Sequence, residues 1–266
     1  MRRAPKLGPR SLFAPVITST RAPVLETDYN IHKSNSTYFA DLDVSRTHHV
    51  SYICGPGIRA VSDNARNQLV IDPRTGKPST GSLGIMLGSV HCSFHKEIPP
   101  YRGYEMWSRV LAWDRKWLYI ITHYVPKGLA RPSEWLDPRF GRLNRSAGRE
   151  PVKDWEKKIH ATAVSKYVFK LGRLTIHPGI ILGASDLLPE RPGGWAVDDD
   201  APPAEELPQG DLFSQVEEGE GEWDWRRVEQ RRMAGMEFAA KFHAMDELHK
   251  MFDGGRGPVV GRFGPG

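Results

Sequence analysis

One helical pattern followed by a succession of strand patterns is what most restricts the fold of this chain. Phe39, Leu42, Val50 and Ile53 recur at helical spacing, and Tyr38 adds to the same face. Ser34 or Asn35 is the expected N-cap, because a side-chain oxygen there can accept a free backbone N–H. The "GPG" at 55 to 57 ends the pattern with helix-breaking residues. Strand signals then follow in "GIMLGSVHCSFHKEI" (84 to 98), "YEMWSRVLAW" (104 to 113) and "WLYIITHYV" (117 to 125), the last two flanking a short "DRK" turn. "ATAVSKYVFK" and "RLTIHP" add one or two more, and "VITSTRAPVLET" (16 to 27) supplies a strand ahead of the helix. A lone helix can bury its apolar face only on the sheet that such strands build. The expected class is therefore α+β, a curved antiparallel sheet wrapped around one long central helix. Residues 58 to 83 carry turn signals and are expected to form a loop-rich insertion, and 126 to 158 a polar excursion.

From residue 180 the alternation fails. Pro, Gly and acidic residues predict a disordered linker over 189 to 222. Residues 198 to 222 hold ten carboxylates and no Lys or Arg, so against a net charge of +5 the remainder carries about +15. A basic body suits an anionic partner: nucleic acid, acidic lipid or a phosphate-bearing ligand such as coenzyme A. No Lys/Arg block interleaved with aromatics is present, so nucleic acid is not the expected partner. Beyond the acidic run, Val228, Met236, Ala239, Phe242, Met245, Leu248 and Phe252 mark one face of a helix. It is expected to dock on the body, with contact to a membrane surface as the alternative. The layout is an N-terminal arm (1–15), a main domain (16–180), an acidic linker (181–222), an amphipathic helix (223–252) and a Gly/Pro-rich tail (253–266). No apolar run reaches the length of a membrane span. Two cysteines offer no disulfide framework and fit a reducing compartment. The basic, proline-containing start lacks a secretory core, which points to the cytoplasm, with a mitochondrial leader as the alternative.

The stretch "ETDYNIHKSNSTYFADLDVSR" places Asp28, His32 and Asn35 in a polar turn directly before the helix. Asp and Asn are common in solvated turns, so a purely structural role is the plain alternative for each. A carboxylate at the mouth of an apolar groove can activate water, and the first amides of a helix can hold an oxyanion. Lys33, Ser34 and Tyr38 beside them are candidates for substrate binding, and Lys33, Lys96, Arg102 and Lys116 for the phosphates of coenzyme A. Asp41 and Asp43 within the helix are expected to face solvent or to pair with Arg46. "HCSFH" puts His91, Ser93 and His95 on one side of a strand, but no third metal ligand accompanies them, so no metal site is assigned.

Strand, Asp-bearing turn, long buried helix and curved antiparallel sheet together resemble the hotdog fold of acyl-CoA thioesterases. "HKSNSTYF", "DLDVSRTH" and "SRVLAWDRKWLY" resemble a fungal group of thioesterase-like proteins, several of them encoded beside secondary-metabolite pathways. The resemblance covers roughly residues 12 to 180 and implies a hotdog domain with a C-terminal extension. It implies hydrolysis of an acyl thioester carried on coenzyme A or acyl carrier protein, with no further cofactor. By the same resemblance Asp28 is the base or nucleophile, with His32 and Asn35 assisting. Two other functions stand beside it. Hotdog hydratases use a D-x-N-P-x-H arrangement, whereas "DYNIH" is one residue shorter and lacks the proline. A non-catalytic scaffold would bind acyl chains without turnover. An isolated hotdog sheet leaves an open edge, so a homodimer is expected, with Glu97 or Glu105 of a second copy as possible contributors to the pocket.

Overall fold

The structure is a computed structural model that describes residues 7–140, 153–196 and 223–251. Its centre is a six-stranded antiparallel sheet built from β1 (Val16–Arg21), β2 (Leu83–Phe94), β3 (Gly103–Trp113), β4 (Trp117–Pro126), β5 (Ala161–Leu171) and β6 (Leu174–Ile176). The order across the sheet is β1-β3-β4-β5-β2, with β6 pairing the end of β5. The long helix α1 (Asn35–Ile53) lies on one face, and the sheet curls around it in the hotdog arrangement.

Strand alternation decides which side chains α1 meets. Tyr104, Met106 and Tyr124 pack with Tyr38 and Leu42 at the N-terminal end of the helix. Val110, Trp113, Leu118, Ile120 and Phe169 pack with Val50 and Ile53 at its other end. Between the two clusters runs a buried polar layer. Ser45 Oγ lies 2.9 Å from both Thr18 Oγ1 and Ser108 Oγ, Ser108 lies 2.7 Å from Thr122 Oγ1, and Arg46 donates to Ser165 at 2.6 Å. His49 belongs to this layer, fully buried, and neither ring nitrogen has a hydrogen-bond partner among the described residues. Burial holds its pKa down at about 3. Between about pH 3 and 6.5 the unfolded chain therefore binds a proton at His49 that the folded chain does not. Stability falls as the pH drops through that window and is indifferent to this group above it. The cost at pH 5 is about 2 kcal/mol. Urea unfolding at pH 7 and pH 5 is expected to show that extra loss in the wild type and not in His49→Leu. Equal losses would count against it.

Several expectations shift. α1 ends at Ile53, just before the "GPG" as expected, but the same residues open α2 (Gly55–Ser62), followed by α3 (Asn64–Asn67), so the 58–83 insertion begins as helix rather than loop. Proline is well tolerated in a helix's first turn, and Pro56 occupies that place. Gly57 is needed because a Cβ there would sit 2.0 Å from the Ile181 carbonyl oxygen. That contact also shows that the linker does not start at 181. Residues Pro178–Gly183 form α4, and Ile181, Leu182 and Leu187 are in the core. Trp195 packs tilted against Trp113, with ring centroids 5.9 Å apart. The acidic run from 198 to 222 lies outside the described residues, as do Phe252 and the 253–266 tail. The N-terminal arm is not free either, since Leu12 and Phe13 are buried.

The C-terminal helix α5 (Trp225–Ala244) docks on the sheet face opposite α1, where Ala239 and Phe242 meet Leu111, Ala112 and Tyr119. A β-bulge between Val110 and Ala112 turns this part of β3 outward. Much of the apolar face of α5 is thereby covered by the sheet, which among the described residues leaves the membrane-surface alternative the exposed Phe238 on the helix and Met245, Leu248 and Met251 beyond it. A buried ion pair anchors the helix. Arg232 grips the fully buried Glu229 with two hydrogen bonds of 2.8 and 2.7 Å and donates to the Trp113 carbonyl at 2.8 Å.

Candidate active site

The polar stretch before α1 is a tight closed turn. The Asp28 amide donates to the His32 carbonyl at 3.0 Å, and the Ile31 amide donates to the Asp28 carbonyl at 3.0 Å. Thr27 and Lys33 pair as an antiparallel bridge at its base. Closing it forces Ile31 to φ +61°, a left-handed conformation that a β-branched residue rarely adopts. Such strain persists where the surroundings over-determine the backbone, and it clusters at functional sites.

Two side chains of the turn face each other. His32 Nδ1 is 3.6 Å from Asp28 Oδ1, and on the other side of the ring Nε2 is 3.6 Å from Glu97 Oε1. Asp28 Oδ1 also accepts the Asn30 amide at 2.9 Å, while Oδ2 has no protein partner among the described residues. All three groups reach solvent at least in part. The helix begins seven residues after Asp28. Ser34 occupies its N-cap position, yet its side chain makes no cap bond and its Oγ is instead 3.0 Å from Ser36 Oγ. Asn35 is the first helical residue and is exposed, so of the two N-cap candidates Ser34 holds the position. The positive end of the α1 dipole, which follows His32 closely in the chain, is thus left without a side-chain cap.

Behind the turn the arrangement departs from expectation. Lys33 does not reach solvent, and no phosphate of coenzyme A can meet it there: its side chain is 0% exposed. Its ammonium group lies 2.5 Å from Glu26 Oε2 and 2.7 Å from Asp41 Oδ2. It also sits over the rings of Tyr38 and Tyr104, 5.5 and 5.6 Å from their centroids. Tyr104 donates its hydroxyl to Asp41 at 2.5 Å. Burial, followed by the neighbouring carboxylate, pushes the Tyr104 hydroxyl well above the usual phenol range. Tyr38 is a core side chain, edge-on to Phe94 at 5.1 Å, and its backbone carbonyl accepts the Tyr124 hydroxyl at 2.7 Å. Asp43 pairs with Arg46 as expected, whereas Asp41 belongs to the Lys33 cluster.

Lys116 sits in the β3–β4 turn, at the far end of those strands from Tyr104 and Tyr124. Lys96 and Arg102 are exposed on the segment that carries Glu97 and passes the turn at Ile98, whose carbonyl accepts the Lys33 amide at 2.9 Å. Cys54 is buried and its thiol is pushed up to about 12 by that burial, so it offers no nucleophile. His91 and His95 bond to Ser93 and Thr162, and no group of three His, Cys, Asp or Glu placed to hold a metal occurs among the described residues.

No family model matches the chain. Among curated proteins, the thioesterase poxG of Penicillium oxalicum is 35% identical over 262 residues, which is 97% of this chain and 77% of that one. The probable thioesterase atnL of Emericella nidulans is 32% identical over 266 residues, 96% and 76% of the two chains. The chain belongs to this thioesterase family. Among solved structures, the gentisyl-coenzyme A thioesterase BH1999 superposes with a TM-score of 0.39 at 11% identity, over 64% of this chain and 98% of that one.

The fold brings the Asp28 and His32 side chains together, and these residues and the start of α1 all stood out in the sequence. Glu97 did not, except as a contribution from a second copy; the fold places it beside His32 within one chain. Glu26, Asp41 and Tyr104 were passed over. No local signal marks them, because Lys33 stands in the polar run "NIHKSNST" and only its burial in the fold requires carboxylates nearby.

Proposed function

We propose that the protein hydrolyses an acyl thioester at the turn before α1, with Asp28 as the general base or nucleophile. The observation that carries this reading is a carboxylate whose Oδ2 has no protein partner among the described residues, on the turn that leads into a helix N-terminus without a side-chain cap, in a chain of the thioesterase family. The carboxylate activates water or attacks the thioester carbonyl itself. The first amides of α1, at the positive end of its dipole, receive the charge that develops on the carbonyl oxygen. His32, between Asp28 and Glu97, orients the water or the carbonyl, and such contacts tighten when substrate is bound. The carrier is coenzyme A or an acyl carrier protein, and the acyl group is in keeping with a secondary-metabolite product.

The site also stands open. Leu25, Tyr29 and Ile31 around it are 99%, 93% and 72% exposed, and β2 is an edge strand that shows Ile85, Met86 and Leu87 to solvent. A second copy of the chain covers both in this reading, giving a homodimer of twice the 30.0 kDa chain mass by light scattering. A monomer with full activity would remove that part.

Thiol release from a panel of acyl-CoAs, including enoyl-CoAs, tests the reaction. Stoichiometric free coenzyme A with at least one member is the expected result. Loss of enoyl absorbance without free thiol would replace hydrolysis by hydration, and binding without any turnover would make the protein a scaffold.

A further inference from the structure

We propose that Lys33 is the positioning residue of the catalytic turn: its buried ammonium group ties Glu26, ahead of the turn, to Asp41 on α1, and so fixes where Asp28 and His32 stand. The inference rests on the thioesterase reading above for its catalytic consequence, but its geometry stands without it.

Lysine is almost never fully buried unless its charge is paired, and here the pairing spans two elements. Glu26 lies in the short 3-10 turn Val24–Glu26 that leads into the site, and Asp41 on the second turn of α1. The ammonium group reaches both, at 2.5 and 2.7 Å, inside a wall made by the rings of Tyr38 and Tyr104. If stability were all that mattered, an apolar side chain of similar volume would fill this space without the cost of desolvating a cation. What it could not do is hold two carboxylates from two segments together.

The backbone of the same residue completes the clamp. Lys33 bridges Thr27, and its amide donates to the Ile98 carbonyl at 2.9 Å, next to Glu97. The following amide, of Ser34, donates to the Glu26 carbonyl at 2.7 Å. The two carboxylates that flank His32, Asp28 and Glu97, are thus both placed by reference to Lys33, while the His32 side chain next to it is partly exposed. One cation serves two carboxylates, and the Tyr104 hydroxyl supports Asp41. Without the ammonium group, Glu26 and Asp41 would repel across a poorly solvated gap, and the turn between them would lose its reference point.

The test compares the wild-type chain with Lys33→Met and Asp41→Asn by steady-state hydrolysis of an acyl-CoA and by residue-resolved amide hydrogen exchange. Asp41→Asn leaves Lys33 paired with Glu26, so it serves even where Lys33→Met does not fold. A misplacement of about 1 Å costs about 100-fold in rate, so kcat is expected to fall by about 10- to 100-fold with KM held within about 3-fold. The amides of Lys33 and Ser34 are expected to exchange at least about 10-fold faster, while those of β3 and β4 keep their wild-type rates. Wild-type kcat in both variants overturns the proposal. So does exchange that quickens equally across the whole chain, which marks a loss of global stability alone. If no acyl-CoA is turned over even by the wild type, the functional reading fails; the clamp is then upheld or overturned by whether exchange at Lys33 and Ser34 changes.

Discussion

Asp28→Asn is expected to lower kcat for thioester hydrolysis by about 100- to 10,000-fold, the span that general-base catalysis contributes. The substitution is close to isosteric. The Oδ1 atom keeps its place and still accepts the Asn30 amide, now found at 2.9 Å, so the turn that holds His32 is preserved. What disappears is the charge and the basicity of Oδ2, the oxygen with no protein partner among the described residues. An amide neither takes a proton from water nor attacks a thioester carbonyl. KM should move little, because binding of the acyl chain and its carrier falls to other surfaces. Melting temperature should also move little, since among the described residues the bonds and ion pairs of Asp28 stay within its own turn, which includes His32. Thiol release under saturating acyl-CoA measures the effect. A loss below about tenfold would take Asp28 out of the chemistry and leave His32 with Glu97 as the pair to examine.

The sequence made the site's open side visible and hid its support. Asp28 and His32 are four residues apart in one turn, so local spacing is enough to bring them together. The same holds for the helix face of Leu42, Val50 and Ile53, which periodicity marks and the sheet buries. Lys33 illustrates the opposite case. A lysine in a polar stretch suggests solvent, and only the return of β3 with Tyr104 and the position of Asp41 convert it into a core residue. Glu97 reaches His32 because the chain between β2 and β3 passes the turn, a long-range event that no local pattern encodes. "GPG" marks the end of α1 as expected, yet it also opens the next helix. Glycine and proline do break helices in their interior, but at a first turn proline costs nothing, and Gly57 answers to a close approach by α4. The C-terminal helix was legible as amphipathic, yet its buried face includes Glu229 and Arg232, which a hydropathy pattern assigns to solvent.

Gly235 of that helix sets two well-known effects against each other. Replacing a helical glycine by alanine favours the helix by about 1 kcal/mol, so propensity alone predicts that Gly235→Ala stabilises the protein. The docking geometry predicts the reverse. A Cβ at this position would lie 2.1 Å from the Leu111 carbonyl oxygen and 3.0 Å from the Ala112 Cβ. Both neighbours are on β3, at the bulge, and a backbone carbonyl in a paired strand cannot swing aside as a side chain can. The helix must therefore lift. Lifting loosens the packing of Val228 and Phe242, whose full burial is worth about 1.5–3 kcal/mol each, and strains the hold of Arg232 on the Trp113 carbonyl. Overpacking of this kind costs about 1–3 kcal/mol or more, and against a propensity gain of about 1 kcal/mol a net loss of about 1–2 kcal/mol is expected. Urea unfolding of the full chain reads it directly as a lower midpoint. A midpoint raised by the alanine would mean that α5 does not press on β3 at Leu111, and the close approach of helix to bulge would have to be abandoned.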